Sequence, residues 1–453
     1  MRAVPLGLLL LTLPAHAQRL EAPTCYPELG PANSLAGAMD GAGVAHFSRH
    51  ENVPADLMYT AIDAAGVVLR DEVVLERAND IANPVRETDL VLQGGQPRIC
   101  FHQPFGSAFR VALRGDGGAW TVEQVDQGLR VGEACSLVVH DGALVAFYVA
   151  GGTLKRATRR GADDWVTEVV HAGADGFDAG QDVDALVTRD GREVAVHRSS
   201  DGWRLHVSRQ AGPGWVTETL PAEGSAFGVR IAATQAADGT LAIVHGLANR
   251  DLDVAGDQGL LLTEGPVEGP FLSEPIRAGA SGGGSHAVAV LGVGARQRVA
   301  LFARERRRSA IFGDRYALAF QPAVHRNEDV VVAEAIPGGV VNHHPLVLLR
   351  RPDGRATLAW NELTPGQPAV IQLCLSPVAD GDGDDLPDVL ETDLLGTRAD
   401  RADTDGDGRD DGQEALDDQT DPLVADEPGP EPDMAVPDMA APDMAVPDMA
   451  VPD

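Results

Sequence analysis

The chain of 453 residues is poor in lysine, aromatic residues and long apolar runs. Lys155 is its one lysine, and 68 acidic against 36 basic side chains give a net charge of −32. Because binding to nucleic-acid phosphates requires clustered lysine and arginine, we expect no nucleic-acid partner. No stretch reaches the roughly 18 apolar residues of a membrane-spanning helix, so we expect no transmembrane segment. Aromatic residues make up 4% of the chain, but hydrophobic residues make up 44%, which excludes wholesale disorder.

The N terminus has the layout of a secretory signal peptide. Met1 and Arg2 precede the apolar run 6–13, and the Ala-His-Ala sequence at 15–17 supplies the small residues expected before a cleavage site. We therefore predict a signal peptide at residues 1–17 and a mature protein that is secreted, extracellular or held at the cell surface. Export permits disulfide bonds among the four cysteines. These are Cys25, Cys100, Cys135 and Cys374.

The acidic charge is concentrated at the other end. Residues 379–453 contain 25 of the acidic side chains and only 3 arginines, a net charge of −22. From Pro432 onward a proline recurs at every fifth residue in a Pro-Asp-Met-Ala repeat. Proline at this spacing interrupts helices and strand ladders alike. We predict that residues 428–453 form a disordered, extended stalk.

The body of the chain has the pattern of an all-β protein. Residues 30–377 consist of short alternating apolar runs separated by Gly, Asp and Pro, without a long helical period. A hexad of the form Trp-x-x-Glu recurs at intervals of about 50 residues, with four short strands in each unit, and this predicts a β-propeller over residues 18–377. The hexads begin at Trp120, Trp165 and Trp215, with weaker copies at Leu69, Phe271 and Val331.

Seven inner strands are recognisable, so we predict seven blades, with six or eight as alternatives. The strands start at Ser34, Asp89, Ser136, Asp184, Arg230, His286 and His344. The last unit lacks an outer strand, which the mature N terminus is expected to supply. That closure brings Cys25 beside Cys374, and Cys100 and Cys135 on adjacent blades form the second predicted disulfide. Free buried thiols are the alternative, and we expect a monomer.

Residues 134–220 combine Ser-Leu, Asp-Gly and Trp-x-x-Glu elements, and they resemble the repeats of secreted bacterial propeller proteins, loosely those of bacterial neuraminidases. This resemblance implies a fold more than a function. Sialidases of this architecture use an arginine triad, a tyrosine nucleophile and an acidic aspartate, but the one segment of similar composition, 199–203, has the wrong spacing. We expect neither a Gly-x-Ser-x-Gly nucleophile elbow nor a His-Glu-x-x-His helix. We predict no enzymatic activity, with a sialidase-like hydrolase as the alternative.

The starts of the inner strands surround one mouth of a propeller channel. Acidic residues and histidines placed there suit a metal or a small polar ligand, and the expected partner is an extracellular glycan or protein. A hydrated channel without a ligand, in a purely structural surface protein, is the alternative. The candidate binding residues are Asp89, Asp184, Arg230, His286, His343 and His344.

Two acidic loops follow the propeller, at 380–391 and 403–414. Both place acids at positions 1, 3, 5, 9 and 12, the spacing of an EF-hand loop, in which position 7 contributes its carbonyl and position 12 two oxygens to Ca²⁺. Position 6 requires a positive φ, which Gly408 accommodates, whereas Asp385 departs from the pattern. The predicted Ca²⁺ ligands are Asp380, Asp382, Asp384, Leu386, Asp388 and Glu391 in the first loop, and Asp403, Asp405, Asp407, Arg409, Asp411 and Glu414 in the second.

The two loops lie 23 residues apart and resemble bacterial thrombospondin type 3 repeats. The resemblance covers residues 378–427 and implies a calcium-ordered spacer rather than a switch. A solvated acidic tail is the alternative. The chain is thus expected to be a secreted calcium-binding protein whose propeller recognises an extracellular partner.

Overall fold

A computed structural model describes residues 24–425 with gaps. The predicted signal peptide and the proline-rich repeat lie outside the described residues. Among the residues that are described, no helix is long and apolar enough to cross a membrane. The longest internal gaps are 77–87, 221–230, 248–258, 304–316, 321–330 and 335–345.

The first three blades are four-stranded antiparallel sheets, each with its strands in chain order. Blade 1 contains β2 (Ala32–Met39), β3 (Ala45–Glu51), β4 (Leu57–Ile62) and β5 (Val68–Leu75). Blade 2 contains β6 (Thr88–Gln93), β7 (Gln96–Gln103), β8 (Ala108–Arg114) and β9 (Trp120–Gln127). Blade 3 contains β10 (Val131–His140), β11 (Ala143–Ala150), β12 (Thr153–Gly161) and β13 (Asp164–Ala172).

Three further four-stranded sheets complete the set. Blade 4 contains β14 (Ala179–Val187), β15 (Glu193–Ser199), β16 (Leu205–Ala211) and β17 (Gly214–Thr219). Blade 5 contains β18 (Ile231–Gln235), β19 (Leu241–Leu247), β20 (Gly259–Gly265) and β21 (Leu272–Ala278). The closing blade contains β26 (Leu346–Arg350), β27 (Ala356–Leu363) and β28 (Ile371–Pro377), with β1 (Thr24–Tyr26) as its outer strand. A 3₁₀ turn follows β1 at Pro27–Leu29.

The prediction of seven blades is wrong, because the described residues form six four-stranded sheets. The unit expected to start at His286 consists of two separate two-stranded sheets instead. No ladder joins the two within the described residues, and the connection 304–316 separates them in sequence. The sequence pattern that begins an inner strand therefore does not establish that a complete four-stranded blade follows. The two sheets pair β22 (His286–Leu291) with β23 (Arg298–Ala303), and β24 (Ala317–Phe320) with β25 (Val331–Glu334).

The predicted closure by the N terminus is confirmed. Strand β1 pairs antiparallel with β28, and Cys25 lies directly opposite Cys374. The two residues form a disulfide with Cα atoms 4.1 Å apart across 349 residues of sequence. Cys100 and Cys135 form the second predicted disulfide, between blades 2 and 3. Both bonds are compatible with an oxidising, extracellular environment.

The hydrophobic core lies between adjacent blades. Strand residues alternate between the two faces of each sheet, and the apolar face of one blade packs on its neighbour. One cluster joins blades 2 and 3 through the fully buried Phe109 and Tyr148, whose rings stack with centroids 4.4 Å apart. Similar clusters join the other consecutive blades from the closing blade through blade 5.

The recurrent Trp-x-x-Glu hexad links neighbouring blades at two junctions. Glu123 on β9 of blade 2 accepts a bidentate pair of hydrogen bonds from Arg159 of blade 3, at 2.8 and 2.7 Å, and another from the Trp165 indole at 2.9 Å. Glu72 of blade 1 forms the same contacts with the Arg and Trp of blade 2. The glutamate of one hexad thus binds the tryptophan of the next, which gives the sequence repeat a structural role.

The two ends of the propeller differ. The turn end carries the connections within the hairpins β2–β3, β10–β11 and their equivalents, which include tight turns such as 141–142 and 212–213. The loop end carries the connections between the second and third strands and between blades, and these include 76–87, 220–230 and 248–258. Nine histidines lie in described strands, and seven of them belong to the loop end, whereas His46 and His140 belong to the turn end. The seven are His50, His102, His171, His197, His206, His245 and His286.

Candidate functional site

Asp89 and Asp184 bind the inner strands of neighbouring blades. The Asp89 Oδ2 atom accepts hydrogen bonds from the Leu137 N–H at 2.7 Å and from the Ser136 hydroxyl at 3.3 Å. Asp184 Oδ2 likewise accepts the Ala233 N–H at 2.7 Å. These bonds connect blade 2 to blade 3 and blade 4 to blade 5. Both aspartates therefore have a structural role, and a role in ligand binding remains a prediction.

The pKa values of both inner-strand aspartates are raised. Burial raises the pKa of Asp184 to about 7, and the charges of Asp89 and Asp182 add to the effect. Burial likewise raises the pKa of Asp89. Of the other predicted mouth residues, His286 is the first residue of β22, while Arg230, His343 and His344 lie outside the described residues.

The two acidic loops repeat each other in their hydrogen bonds. At position 9, Asp388 accepts the N–H of Gly381 at 2.6 Å, and Asp411 accepts the N–H of Thr404 at 2.7 Å; both donors are at position 2. The helix α1 (Asp411–Gln413) begins at the second of these aspartates. Gly408 has a φ of 101°, as expected at position 6, whereas Asp385 lies outside the described residues.

The glutamates at position 12 are also held in the same way. Glu391 accepts a hydrogen bond from the Thr397 hydroxyl at 3.5 Å, and Glu414 accepts one from Thr420 at 3.2 Å. Each threonine N–H also donates to the backbone carbonyl of its glutamate. The Glu-x-x-x-x-x-Thr spacing thus orients both glutamates. It is a feature that the loop pattern alone did not predict.

The carboxylates assemble into three groups whose oxygen atoms lie within 4.8 Å of one another. The groups are Asp380, Asp382 and Asp384; Asp403, Asp405 and Asp407; and Asp384, Glu391 and Asp411. The last group combines both loops, a contact that separate EF-hand loops would not make. Its three side chains are at most 1% exposed. The Gly412 N–H donates to Asp384 Oδ2 at 2.9 Å, and a side chain at Gly412 would collide with the Asp384 carbonyl.

In the part of the chain that the structure describes, no basic side chain binds the carboxylates of the mixed group. Among the described residues, the hydrogen bonds to Asp384, Glu391 and Asp411 come from backbone N–H groups and threonine hydroxyls. Glu391 Oε2 is buried without a hydrogen-bond partner. Burial and the neighbouring carboxylates raise the pKa of Glu391 to about 9, and burial raises that of Asp384 to about 7. Carboxylate oxygens in this arrangement suit a hard cation such as Ca²⁺.

A cluster of three histidines lies at the loop end between blades 3 and 4, and sequence reasoning missed it. His197 on β15 lies opposite His206 on β16, and His171 of β13 packs against both. The connection between β15 and β16 joins the first two in a hairpin, so a strand assignment could have paired them. His171 belongs to the neighbouring blade, and no pattern near it in the sequence indicates its contact with the other two histidines.

Comparisons with known proteins support the fold. No family model matches the chain, and no curated protein matches it. A polysaccharide lyase of family PL25, an ulvan lyase solved with bound -[GlcA(1-4)Rha3S]-, is similar in structure with a TM-score of 0.55 and 10% identity, over 77% of this chain and 94% of that one. The polysaccharide lyase Uly1 gives 0.49 with 9% identity, over 77% and 90%. An α-L-arabinanase from Penicillium chrysogenum gives 0.42 with 12% identity, over 64% and 92%.

These comparisons correct the prediction that the propeller is not an enzyme. The similar propeller with a TM-score of 0.55 is a polysaccharide lyase, so the architecture does not argue against catalysis. Local hydrolase motifs are not required for catalysis, because an acid and a base supplied by different blades leave no local signature in the sequence. At 10% identity the likeness establishes the fold alone. The resemblance of 378–427 to thrombospondin type 3 repeats remains a prediction.

Proposed function

We propose that the segment 380–414 binds two Ca²⁺ ions. The observation that carries this proposal is the group of Asp384, Glu391 and Asp411, which are buried, lie within 4.8 Å of one another and have no basic partner among the described residues. Buried charges are otherwise paired or coordinate a metal. Ca²⁺ takes six to eight oxygen ligands, so it would offset the negative charge of the group. It would also bind Glu391 Oε2, which has no hydrogen-bond partner among the described residues.

The loops offer two further reasons to choose Ca²⁺. Their donors are carboxylates and the carbonyls of Leu386 and Arg409, which are hard oxygen ligands without thiolate or imidazole. The three acids at positions 1, 3 and 5 converge in each loop, as the loop pattern requires. Asp411 faces the first loop, so the two ions would be coupled through it.

Isothermal titration calorimetry on the full chain tests the proposal. The wild type should bind two Ca²⁺, and Mg²⁺ should compete weakly because it requires stricter octahedral geometry. E391Q should lose the ion of the first loop, and E414Q that of the second. D411N should weaken both, because Asp411 lies with the ligands of the first loop.

D400N is the matched control, because Asp400 is an exposed loop acid paired with Arg398. Its Ca²⁺ binding should equal that of the wild type. Absence of Ca²⁺ uptake at millimolar concentration, or an equal loss in D400N and E391Q, would contradict the proposal.

We propose as a second function that the exported propeller processes an extracellular acidic polysaccharide at its loop end. The observation behind it is the placement of seven of the nine described strand histidines at that end. The structural likeness to an ulvan lyase supplies the substrate class. Elimination at a uronate removes a proton from C5, breaks the C4–O bond, forms a C4=C5 double bond and returns a proton to the leaving oxygen. A neutral imidazole can accept the first proton.

Incubation of the calcium-loaded protein with ulvan and with arabinan tests this function. Elimination yields an unsaturated uronate that absorbs ultraviolet light, whereas hydrolysis yields new reducing ends without this absorbance. We expect turnover of the acidic polymer by elimination, reduced in R230A, H286A and H344A, at residues that the sequence predicts to lie at the mouth of the channel. R192A, at an exposed residue of the turn end, is the control and should retain activity. Saturable binding of both polymers without either product would contradict processing.

A further inference from the structure

His171, His197 and His206 form a compact group of imidazoles from two blades. Their ring centroids lie 5.0 to 5.2 Å apart. His197 is fully buried, His206 is 6% exposed, and His171 is half-buried near the end of β13. The group lies outside both acidic loops and is not needed for the calcium proposal.

Burial favours the neutral form of His197 and His171. Burial, and then repulsion from His206 and His171, holds the pKa of His197 well below its usual value, and burial lowers the pKa of His171. A neutral imidazole has one nitrogen lone pair available, which is the state that binds a metal. No acidic residue contributes to either shift, so protonation of the cluster is not compensated by a nearby carboxylate.

Hydroxyl groups orient two of the rings. His197 Nε2 contacts the Ser208 Oγ at 3.1 Å, and Ser208 in turn contacts Thr217 at 2.7 Å. His206 Nδ1 contacts the Thr219 Oγ1 at 3.0 Å. Metal-binding histidines typically engage their second nitrogen in this way, since the contact fixes the tautomer and the ring orientation.

Two ring nitrogens have no hydrogen-bond partner. These are Nδ1 of His197 and Nδ1 of His171, both buried. A buried polar atom without a partner costs free energy, which a bound metal would relieve. The nitrogens of the three rings are not yet all within 4.8 Å of one another. Binding therefore requires at least one ring to turn.

Blade 5 provides an internal comparison. His245 occupies the position on β19 that corresponds to His197 on β15, and it contacts Thr263 at 3.0 Å, which contacts Ser273 at 2.8 Å. The same chain of a histidine and two hydroxyls is thus present. The residue opposite His245 is Leu261, whereas His206 lies opposite His197. A structural role of this series of hydrogen bonds explains one histidine in each of blades 4 and 5, but neither His206 in blade 4 nor His171 in blade 3.

We propose that His171, His197 and His206 form a binding site for a divalent transition-metal ion of the zinc class. Imidazole nitrogen suits Zn²⁺, Co²⁺, Ni²⁺ and Cu²⁺, whereas Ca²⁺ requires oxygen ligands. His197 Nδ1 and His171 Nδ1 are the ligand atoms on two of the rings. Three protein ligands leave a fourth position of a tetrahedral ion for water.

Metal titration of the full chain saturated with Ca²⁺ tests the site, because Ca²⁺ blocks the acidic loops. Co²⁺ should bind at one equivalent with visible absorption typical of a tetrahedral nitrogen site, and Zn²⁺ should displace it. Cu²⁺ bound in its place should show nitrogen hyperfine coupling in electron paramagnetic resonance, which carboxylate sites cannot give. H171A and H206A should each weaken binding by at least about tenfold.

H245A is the control and should bind like the wild type. H197A replaces a fully buried side chain and risks misfolding, so the test depends on H171A at the half-buried position. If the Ca²⁺-saturated protein takes up neither Co²⁺ nor Zn²⁺, the proposed site is wrong. Binding that survives in both H171A and H206A, or that is lost equally in H245A, would also overturn it; loss only in H343A and H344A would place the metal elsewhere.

Discussion

The propeller and the acidic segment bury carboxylates in opposite ways. In the propeller, Glu123 is 5% exposed and accepts hydrogen bonds from two guanidinium nitrogens of Arg159. Glu193 is fully buried and contacts Arg156 and His140. Burial raises the pKa of each acid, but these hydrogen bonds outweigh it and hold the pKa below its usual value. In the segment, the pKa values of Glu391 and Asp384 are raised.

The propeller neutralises these two buried glutamates with its own arginines, whereas the acidic segment is the part for which we propose an external cation. A buried carboxylate is tolerated when a fixed cation and hydrogen bonds compensate its loss of water. The propeller supplies arginines from its own strands for this purpose. Only 3 arginines accompany the 25 acids of residues 379–453, so the segment cannot do the same. Net charge alone would have hidden this distinction.

The largest expected effect follows from opening the propeller itself. In the chain-entropy model the double variant C25S/C374S loses about 6 kcal/mol of stability, and C100S/C135S about 4 kcal/mol, because the first bond closes a loop about ten times longer. Chemical denaturation at saturating Ca²⁺ measures both. Ca²⁺ binding by the acidic segment should be unchanged in either variant. Equal losses in the two variants would contradict the entropic account.

Breaking one internal ion pair should have the next largest effect. E123Q leaves Arg159 without its carboxylate, and loss of one partner of a buried pair costs about 3–5 kcal/mol. E168Q is the matched control: it occupies the same hexad position in blade 3, but its carboxylate is 46% exposed. The stability lost in E168Q should stay below about 1 kcal/mol. Denaturant midpoints of the two variants decide whether the hexad glutamates stabilise the propeller through burial.

Removal of Ca²⁺ should affect the segment and spare the propeller. Each ion at 100 times its Kd contributes about 2.7 kcal/mol to the folded segment. After chelation, hydrogen exchange monitored by mass spectrometry should show rapid exchange in peptides from 380–425 and unchanged protection in blades 1–4. Loss of protection in β10 or β11 would show that the propeller also depends on Ca²⁺, and the contrast between the regions would fail.

The smallest effect concerns Asp184, a propeller acid whose pKa is raised like those of the acidic segment. The folded pKa of Asp184 is about 7, above the ordinary value of 3.8, so the folded state retains this proton longer than the unfolded state. The associated stability is present below about pH 4, falls as the pH rises and is lost above about pH 7. D184N keeps an acceptor for the Ala233 N–H and removes the titration. Its Tm should decrease less than that of the wild type between pH 5 and pH 8, with Ca²⁺ saturating; equal decreases would rule out Asp184 as the cause.

Sequence reasoning predicted those features that repeat or that lie in one short segment. The period of the hexads indicated a propeller, and the missing outer strand of the last unit led to the pairing of Cys25 with Cys374. The number of blades was wrong because the start at His286 matched the period while its later strands did not form one sheet. The hexad was recognised as a marker of the period, but its role required the contact from Glu123 to Trp165 of the next blade.

The candidate sites show the same limit. The five-acid spacing placed the predicted ligands in two loops, since every residue of an EF-hand pattern lies within twelve positions. It assigned Asp411 to the second loop alone, whereas packing places this residue with Asp384 and Glu391. The cluster of His171, His197 and His206 depends on the packing of two blades, which no spacing along the chain encodes.

The closing blade sets the order in which this fold can be completed. Strand β1 is synthesised first, but its partner β28 follows only after the other blades, across the 349 residues between Cys25 and Cys374. Contacts between residues so distant in sequence form slowly. Until then β1 lacks its ladder partner and Cys25 lacks Cys374, its partner in the native disulfide. The protein therefore needs a means of keeping its first cysteine reduced, or reversibly paired, until its last strand has emerged.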